Sequence, residues 1–219
     1  ALDTKTASTE GTIPNTGASS TASNAPVLTE EQKTQIATAE KSLSGILGDA
    51  YNDLGTSEAR RQDYATALIH FHEAKKWNPE LPGLQRNIGL AAFLAGNYAE
   101  AVPVMRALVE ADSSDKRSMS MLAMSLYMLQ RYPEAAKVFE RIPDEAMADP
   151  RISLAWAYTL RETKEPQRAI ELLEKLTRQE ISAEMFVRAG KLYGDLGDET
   201  NAQACFRKAR EQDPSIKIP

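Results

Sequence analysis

A single cysteine, Cys205, and two histidines, His70 and His72, are all the sequence offers of the side chains most used for redox and metal chemistry. One cysteine excludes an intrachain disulfide. It falls one residue before Phe206 in an apolar helical pattern, where an inert buried thiol is expected. The two histidines are two residues apart in a helical pattern and so point away from each other, which excludes the i, i+4 ligand pair of a metal site on one helix. Phosphate-binding loops, nucleophile elbows and cysteine pairs are all missing, so the sequence reads as a non-enzyme with no cofactor and no metal. No apolar run approaches the length of a membrane span. A net charge of −5 does not point to a nucleic-acid partner.

Residues 1–28 are almost devoid of large side chains and rich in Thr, Ser, Ala, Gly and Asn, with Pro14 and Pro26. Such a segment cannot offset its ordering entropy, so a disordered tether is expected. It has neither the apolar core of a signal peptide nor the arginines of a transit peptide. The chain starts at Ala1 rather than Met. A Ser/Thr-rich tether behind a removed secretion signal fits this composition, which favours an extracytoplasmic location, periplasmic or secreted, over a cytoplasmic one.

What is present is a repeat. Ala67, Ala101, Ala135, Ala169 and Ala202 are spaced 34, 34, 34 and 33 residues apart. Around each, the frame returns: Gly55, Gly89, Ala123, Ala157 and Gly190 before it, then Phe71, Met105, Phe139, Leu173 and Phe206 four residues after. In the first copy Tyr51, Leu54, Gly55 and Ala59 fall on one helical face, and Tyr64, Ala67, Leu68, Phe71 and Ala74 on another. Each copy is therefore two amphipathic helices. A tight turn near Arg61 to Asp63 joins the first pair, and Pro79 stops its second helix. Gly96-Asn97 and Gly197-Asp198 suit the left-handed residue that closes a helix, while Pro133 and Pro166 suit helix openings. One pair cannot bury its apolar face, whereas stacked pairs bury each large side chain for roughly 1.5–3 kcal/mol.

These residues resemble the tetratricopeptide repeat. Tyr51, Leu54-Gly55, Ala67, Phe71, Ala74 and Pro79 match its pattern, and so do Gly190, Tyr193, Gly197, Ala202, Phe206, Ala209 and Pro214. The middle copies depart from it: Ser113 and Ile181 replace the terminal Pro, and Leu108, Ile142 and Leu176 replace an Ala. The resemblance implies an all-α fold, a right-handed α-α superhelix of five helix-turn-helix repeats over residues 48–216 (48–81, 82–115, 116–149, 150–182 and 183–216), followed by a short tail, 217–219. Ahead of them, Thr29 with Gln32 is a capping-box signature, and Ile36, Leu43, Ile46 and Leu47 continue a helical stripe. This segment either forms a separate capping helix over 29–47 or extends the first repeat helix; a separate or kinked cap is expected, with Gly45 and Gly48 as the break points.

The resemblance further implies that the first helix of each pair lines a concave groove, and the helical wheel agrees, because those positions lie away from the packing stripe. The groove residues are Arg86, Asn87 and Leu90; Arg117, Met121, Met124, Tyr127 and Met128; Arg151, Tyr158 and Arg161; and Arg188 and Lys191. A basic groove on an acidic protein would take an acidic segment or a chain-terminal carboxylate of a protein or peptide partner. The alternative is that each arginine is neutralised by a carboxylate of a neighbouring repeat. Met121, Met124 and Met128 beside Tyr127 would form an adaptable apolar floor. The clamp for chaperone C-terminal carboxylates is not reproduced, since only Asn87 matches it and Arg117 stands for a Lys. The expected role is a non-catalytic scaffold for a peptide or extended segment. The rival reading is a structural module that self-associates into a homo-oligomer.

Overall fold

The computed structural model describes residues 28–219, so the predicted tether lies, but for Leu28, outside the described residues. Eleven helices and no strand occur among the described residues. Contacts divide the chain into two units, residues 1–40 and 41–219. In the first, Thr29 and Gln32 cap α1 (Glu30–Arg60) reciprocally: the Thr29 N–H donates to Gln32 Oε1 at 3.0 Å and the Gln32 N–H to Thr29 Oγ1 at 3.2 Å. Every residue from Glu30 to Glu40 is exposed.

The expected break is absent. α1 runs unbroken for 31 residues through Gly45 and Gly48. Gly48 serves packing instead, because a Cβ there would lie 2.5 Å from Asn78 Cβ.

Residues 41–219 form five stacked helix pairs in a right-handed α-α superhelix: α1 with α2 (Tyr64–Trp77), α3 (Leu84–Leu94) with α4 (Tyr98–Ala111), α5 (Lys116–Met128) with α6 (Tyr132–Phe139), α8 (Pro150–Glu162) with α9 (Pro166–Thr177), and α10 (Ala183–Asp195) with α11 (Glu199–Gln212). In three of the pairs the close approach is made by a glycine of the first helix, Gly55, Gly89 or Gly190, and in the other two by Ala123 and Ala157. A Cβ on Gly55 would sit 2.6 Å from the Phe71 ring, and one on Gly190 2.6 Å from Phe206.

All five turns between paired helices close the same way. Gln62, Gly96, Gln130, Lys164 and Gly197 are left-handed, with φ between 58° and 80°. The next amide then donates to the carbonyl five residues back, as in Asn97 to Ala92 at 2.8 Å and Glu165 to Leu160 at 2.8 Å. Asp63, Asp115, Asp198 and Ser182 cap the helices that follow them with their side chains.

One element was not expected. α6 has only 8 residues and is followed by α7 (Pro143–Ala148). Pro143 lacks an N–H and disfavours helical backbone at Ile142, so the helix stops and a new one starts with proline in its first turn. α7 is held by the buried Ser153 hydroxyl, which donates to the Ala146 carbonyl at 2.5 Å, and by Gln179 Nε2, which donates to the Met147 carbonyl at 3.1 Å.

The core falls into two apolar clusters. One joins α2, α3 and the start of α4, from Ala67 to Ala101; the other runs from Val102 to Ala209. Phe93 packs against both.

Candidate groove on the first helices

The stacking brings α3, α5 and α8 side by side. Leu90, Phe93 and Leu94 of α3, Arg117, Ser120, Met121 and Met124 of α5, and Arg151 and Ile152 of α8, with Asp149, enclose a groove of about 430 Å³. A second hollow of about 310 Å³ continues it towards the first pair, lined by Thr56, Ala59, Arg60, Tyr64, Asn87, Leu90 and Leu94 among others. At the other end Tyr158, Lys191 and Asp195 line a hollow of about 480 Å³ that also touches Pro219.

The apolar residues divide by depth. Met121 is buried, Met124 and Leu90 are half-buried, and Met128 is 49 % exposed. Met119, on the packing stripe, is 1 % exposed and belongs to the core. Tyr127 lies between Tyr132 and Tyr158, with ring centroids 6.2 and 6.5 Å away. Burial pushes the phenols of Tyr127 and Tyr158 up, and the Arg188 charge pulls both back.

The cations divide as well. Arg86 donates to Asp115 Oδ2 at 2.7 Å. Arg151 is held by Asp149, with Nη2 to Oδ2 at 2.7 Å and Nε to Oδ1 at 3.1 Å. That pairing, more than any other contact, holds the Asp149 carboxyl below its usual range. Arg161 pairs with Glu162 at 2.6 Å and with Asp195, and stacks on Tyr158 with its guanidinium carbon 5.1 Å from the ring centre. Arg117, Arg188 and Lys191 are exposed and make no ion pair among the described residues. Asn87 donates from Nδ2 to Asn52 Oδ1 at 2.9 Å across the first two pairs. Half of the six groove cations are thus neutralised by carboxylates and half are available.

Ile152, Asp149 and Tyr64 line these hollows although sequence reasoning did not single them out. Asp149 reaches the groove as the N-cap of α8, and Ile152 lies in that helix's first turn. The pairs Arg161–Asp195 and Asn52–Asn87 carried a readable signal, since residues 34 or 35 apart in this array occupy matching places on adjacent helices.

The two histidines do not come together. His72 Nε2 lies 2.5 Å from Glu100 and His70 stacks against Tyr51, so the two histidines serve different contacts. No group of three metal-ligating side chains occurs among the described residues, and none of their helices is long and apolar enough to cross a membrane.

Comparison with known proteins gives the same architecture. Family models described as tetratricopeptide repeat match residues 86–150 and 183–216. A sequence comparison with curated proteins gave no match. Among solved structures the chain is similar to MamA, residues 41 to the end, from Desulfovibrio magneticus RS-1, at 20% identity and a TM-score of 0.65, covering 78% of this chain and 97% of that one. It is also similar to MamA of MSR-1, at 15% identity and a TM-score of 0.64, covering 76% and 97%. A thermophilic TPR protein of Thermus thermophilus aligns at 20% identity with a TM-score of 0.54, covering 77% and 92%. At these identities the likeness is one of fold. Five stacked pairs on a 34-residue period, closed by the same left-handed turns and matched over residues 86–150 and 183–216 by the repeat's own models, are tetratricopeptide repeats, the architecture of a protein-interaction scaffold.

Proposed function

We propose that the scaffold binds an extended peptide segment of a partner protein along its first helices, with an apolar residue of that segment on Leu90, Met121, Met124 and Ile152 and an acidic side chain or terminal carboxylate at Arg117. The observation that carries this reading is the groove of about 430 Å³ between α3, α5 and α8, whose floor is apolar and whose Arg117 has no carboxylate within ion-pair distance among the described residues. An exposed guanidinium beside an apolar floor offers bidentate recognition of a carboxylate. Methionines let the floor fit more than one side chain. Arg188 and Lys191 extend the positive field along the groove, while Arg86, Arg151 and Arg161 contribute little to it because their charges are already matched.

The test is fluorescence polarisation with a panel of labelled extended peptides that vary in acidic content and in free or amidated C-terminus. Peptides carrying both a carboxylate and a large apolar residue are expected to bind. Arg117→Glu should weaken them at least about tenfold, or 1.4 kcal/mol, with an unchanged melting temperature. Adding Arg151→Glu, which leaves Asp149 unmatched and sets a further negative charge beside the apolar floor, should remove what binding is left. Equal affinity of the wild-type and Arg117→Glu proteins for every retained peptide overturns the reading.

A further inference from the structure

Three register positions recur on the first helices after α1, and they are buried in α3, α5 and α10 and at the last two in α8. In α3 they are Leu84, Ile88 and Ala91, which share one cluster with Leu68, Phe71 and Ala74 of α2. In α5 they are Ser118, Leu122 and Ser125, and in α10 Met185, Ala189 and Leu192, all buried. In α8 Trp156 and Thr159 are buried at the last two. This side of a first helix is a receiving face, covered by the second helix of the pair before it.

Counting back by the repeat from α3, the same positions in α1 are Ala50, Leu54 and Ser57. All three are exposed, Leu54 at 47 %. Towards the N-terminus the face continues through Leu47, Ile46 and Leu43 at helical spacing, with Ile46 60 % and Leu43 58 % exposed. α1 therefore carries a receiving face that no helix of the described residues covers.

We propose that this face pairs with the same face of a second copy of the chain, giving a two-fold dimer through residues 41–57 of α1. Head-to-tail stacking does not suit it. The helix that would have to arrive is α11, whose outer side presents Gln203, Arg207, Arg210 and Glu211, and laying those charges on Leu43 and Ile46 would strand them from water. The α1 stripe, in contrast, complements itself. Antiparallel pairing centred between Ile46 and Leu47 sets Leu43 against the partner's Ala50, large against small, twice by symmetry. This contact lies at the edge of the array and is independent of the groove.

The experiment is sedimentation equilibrium of the whole chain over a range of concentrations. A species of twice the 24.1 kDa protomer mass is expected. Leu43→Glu with Ile46→Glu should remain monomeric throughout with an unchanged helical melting curve, since both side chains are exposed. Leu43→Ala should raise the dimer dissociation constant severalfold, and Leu43→Ala with Ala50→Leu, which exchanges large and small across the seam, should restore it, a rescue that general damage to the helix cannot produce. A wild-type protein that stays monomeric at all concentrations overturns the proposal. So does a dimer that survives Leu43→Glu with Ile46→Glu, or one that is lost in Arg117→Glu.

Discussion

Arg86 Nη1 lies 2.7 Å from Asp115 Oδ2, so a groove cation of α3 is held by the residue that caps α5. Asp115 also accepts from the Ser118 N–H at 3.0 Å and the Ser118 hydroxyl at 2.7 Å. Burial pushes its carboxyl up, but these donors and the Arg86 charge outweigh burial and bring it from the ordinary 3.8 to about 2. A carboxyl depressed in the folded state stabilises the fold above its unfolded pKa, and that contribution is lost as pH falls through the folded one. Asp115→Asn keeps a capping side chain and removes the charge. We expect it to cost about 1 kcal/mol at neutral pH and to flatten the fall in melting temperature between about pH 4 and pH 2. Superimposable melting profiles of the two proteins over that range would show that the pair contributes nothing.

The turns give a second prediction. Gln62, Gln130 and Lys164 hold the left-handed conformation that Gly96 and Gly197 hold at the equivalent turns. A side chain in that conformation costs about 1–2 kcal/mol, partly offset by the greater unfolded-state entropy of glycine. Gln62→Gly, Gln130→Gly and Lys164→Gly should each stabilise the protein by about 0.5–1 kcal/mol, and Gly96→Ala should destabilise it. Denaturant midpoints that move the other way would mean that the Gln and Lys side chains make compensating contacts.

Paired glycines on one helix should respond with opposite signs. A Cβ on Gly190 meets Phe206 at 2.6 Å and the Ala202 carbonyl at 3.1 Å, whereas one on Gly194, a turn later in α10, meets nothing within 4 Å. Gly190→Ala should cost about 1–3 kcal/mol through overpacking, and Gly194→Ala should gain up to about 1 kcal/mol in helix propensity. Gly48→Ala and Gly45→Ala should divide likewise in α1. Thermal melts of the four variants check this, and a stable Gly190→Ala would show that the α10–α11 seam can open.

Cys205 reports on that same seam. It is 3 % exposed, and burial pushes its thiol up to about 11, against a smaller pull down from Lys208. At pH 8 the native protein should react with a thiol reagent roughly 10²–10³-fold more slowly than an unperturbed cysteine, and at the ordinary rate once unfolded. Rapid labelling of native protein would place the last pair among its loosest parts.

The array was legible in the sequence because a 34-residue period leaves little choice of fold. The same small residue must return wherever two backbones cross, as at Gly55 and Gly190. What escaped was local. Gly45 and Gly48 suggested a break, yet the flanking Leu, Ser, Ala and Lys keep α1 helical, and Gly48 is explained by the nearness of Asn78. α7 was announced by Pro143, which sits inside an expected second helix. In the candidate groove, periodicity picked out the helix face but not the state of each charge. Arg117 and Arg151 occupy equivalent register positions, and only Arg151 is gripped by an aspartate two residues before it.

The two apolar clusters meet at Phe93, and the hollow between α3, α5 and α8 straddles that meeting point. In a linear array each pair touches only its neighbours, so the ends open more readily than the middle, and the boundary between clusters is where opening halts. Phe93 packs against both clusters, while Leu90, Met121, Met124 and Ile152 pack with the C-terminal one. A segment lying across both would act as a splint. It would slow amide exchange in α2, which contributes nothing to that hollow, and its grip would weaken as the first two pairs breathe. The array would then sense its cargo as tension along its length.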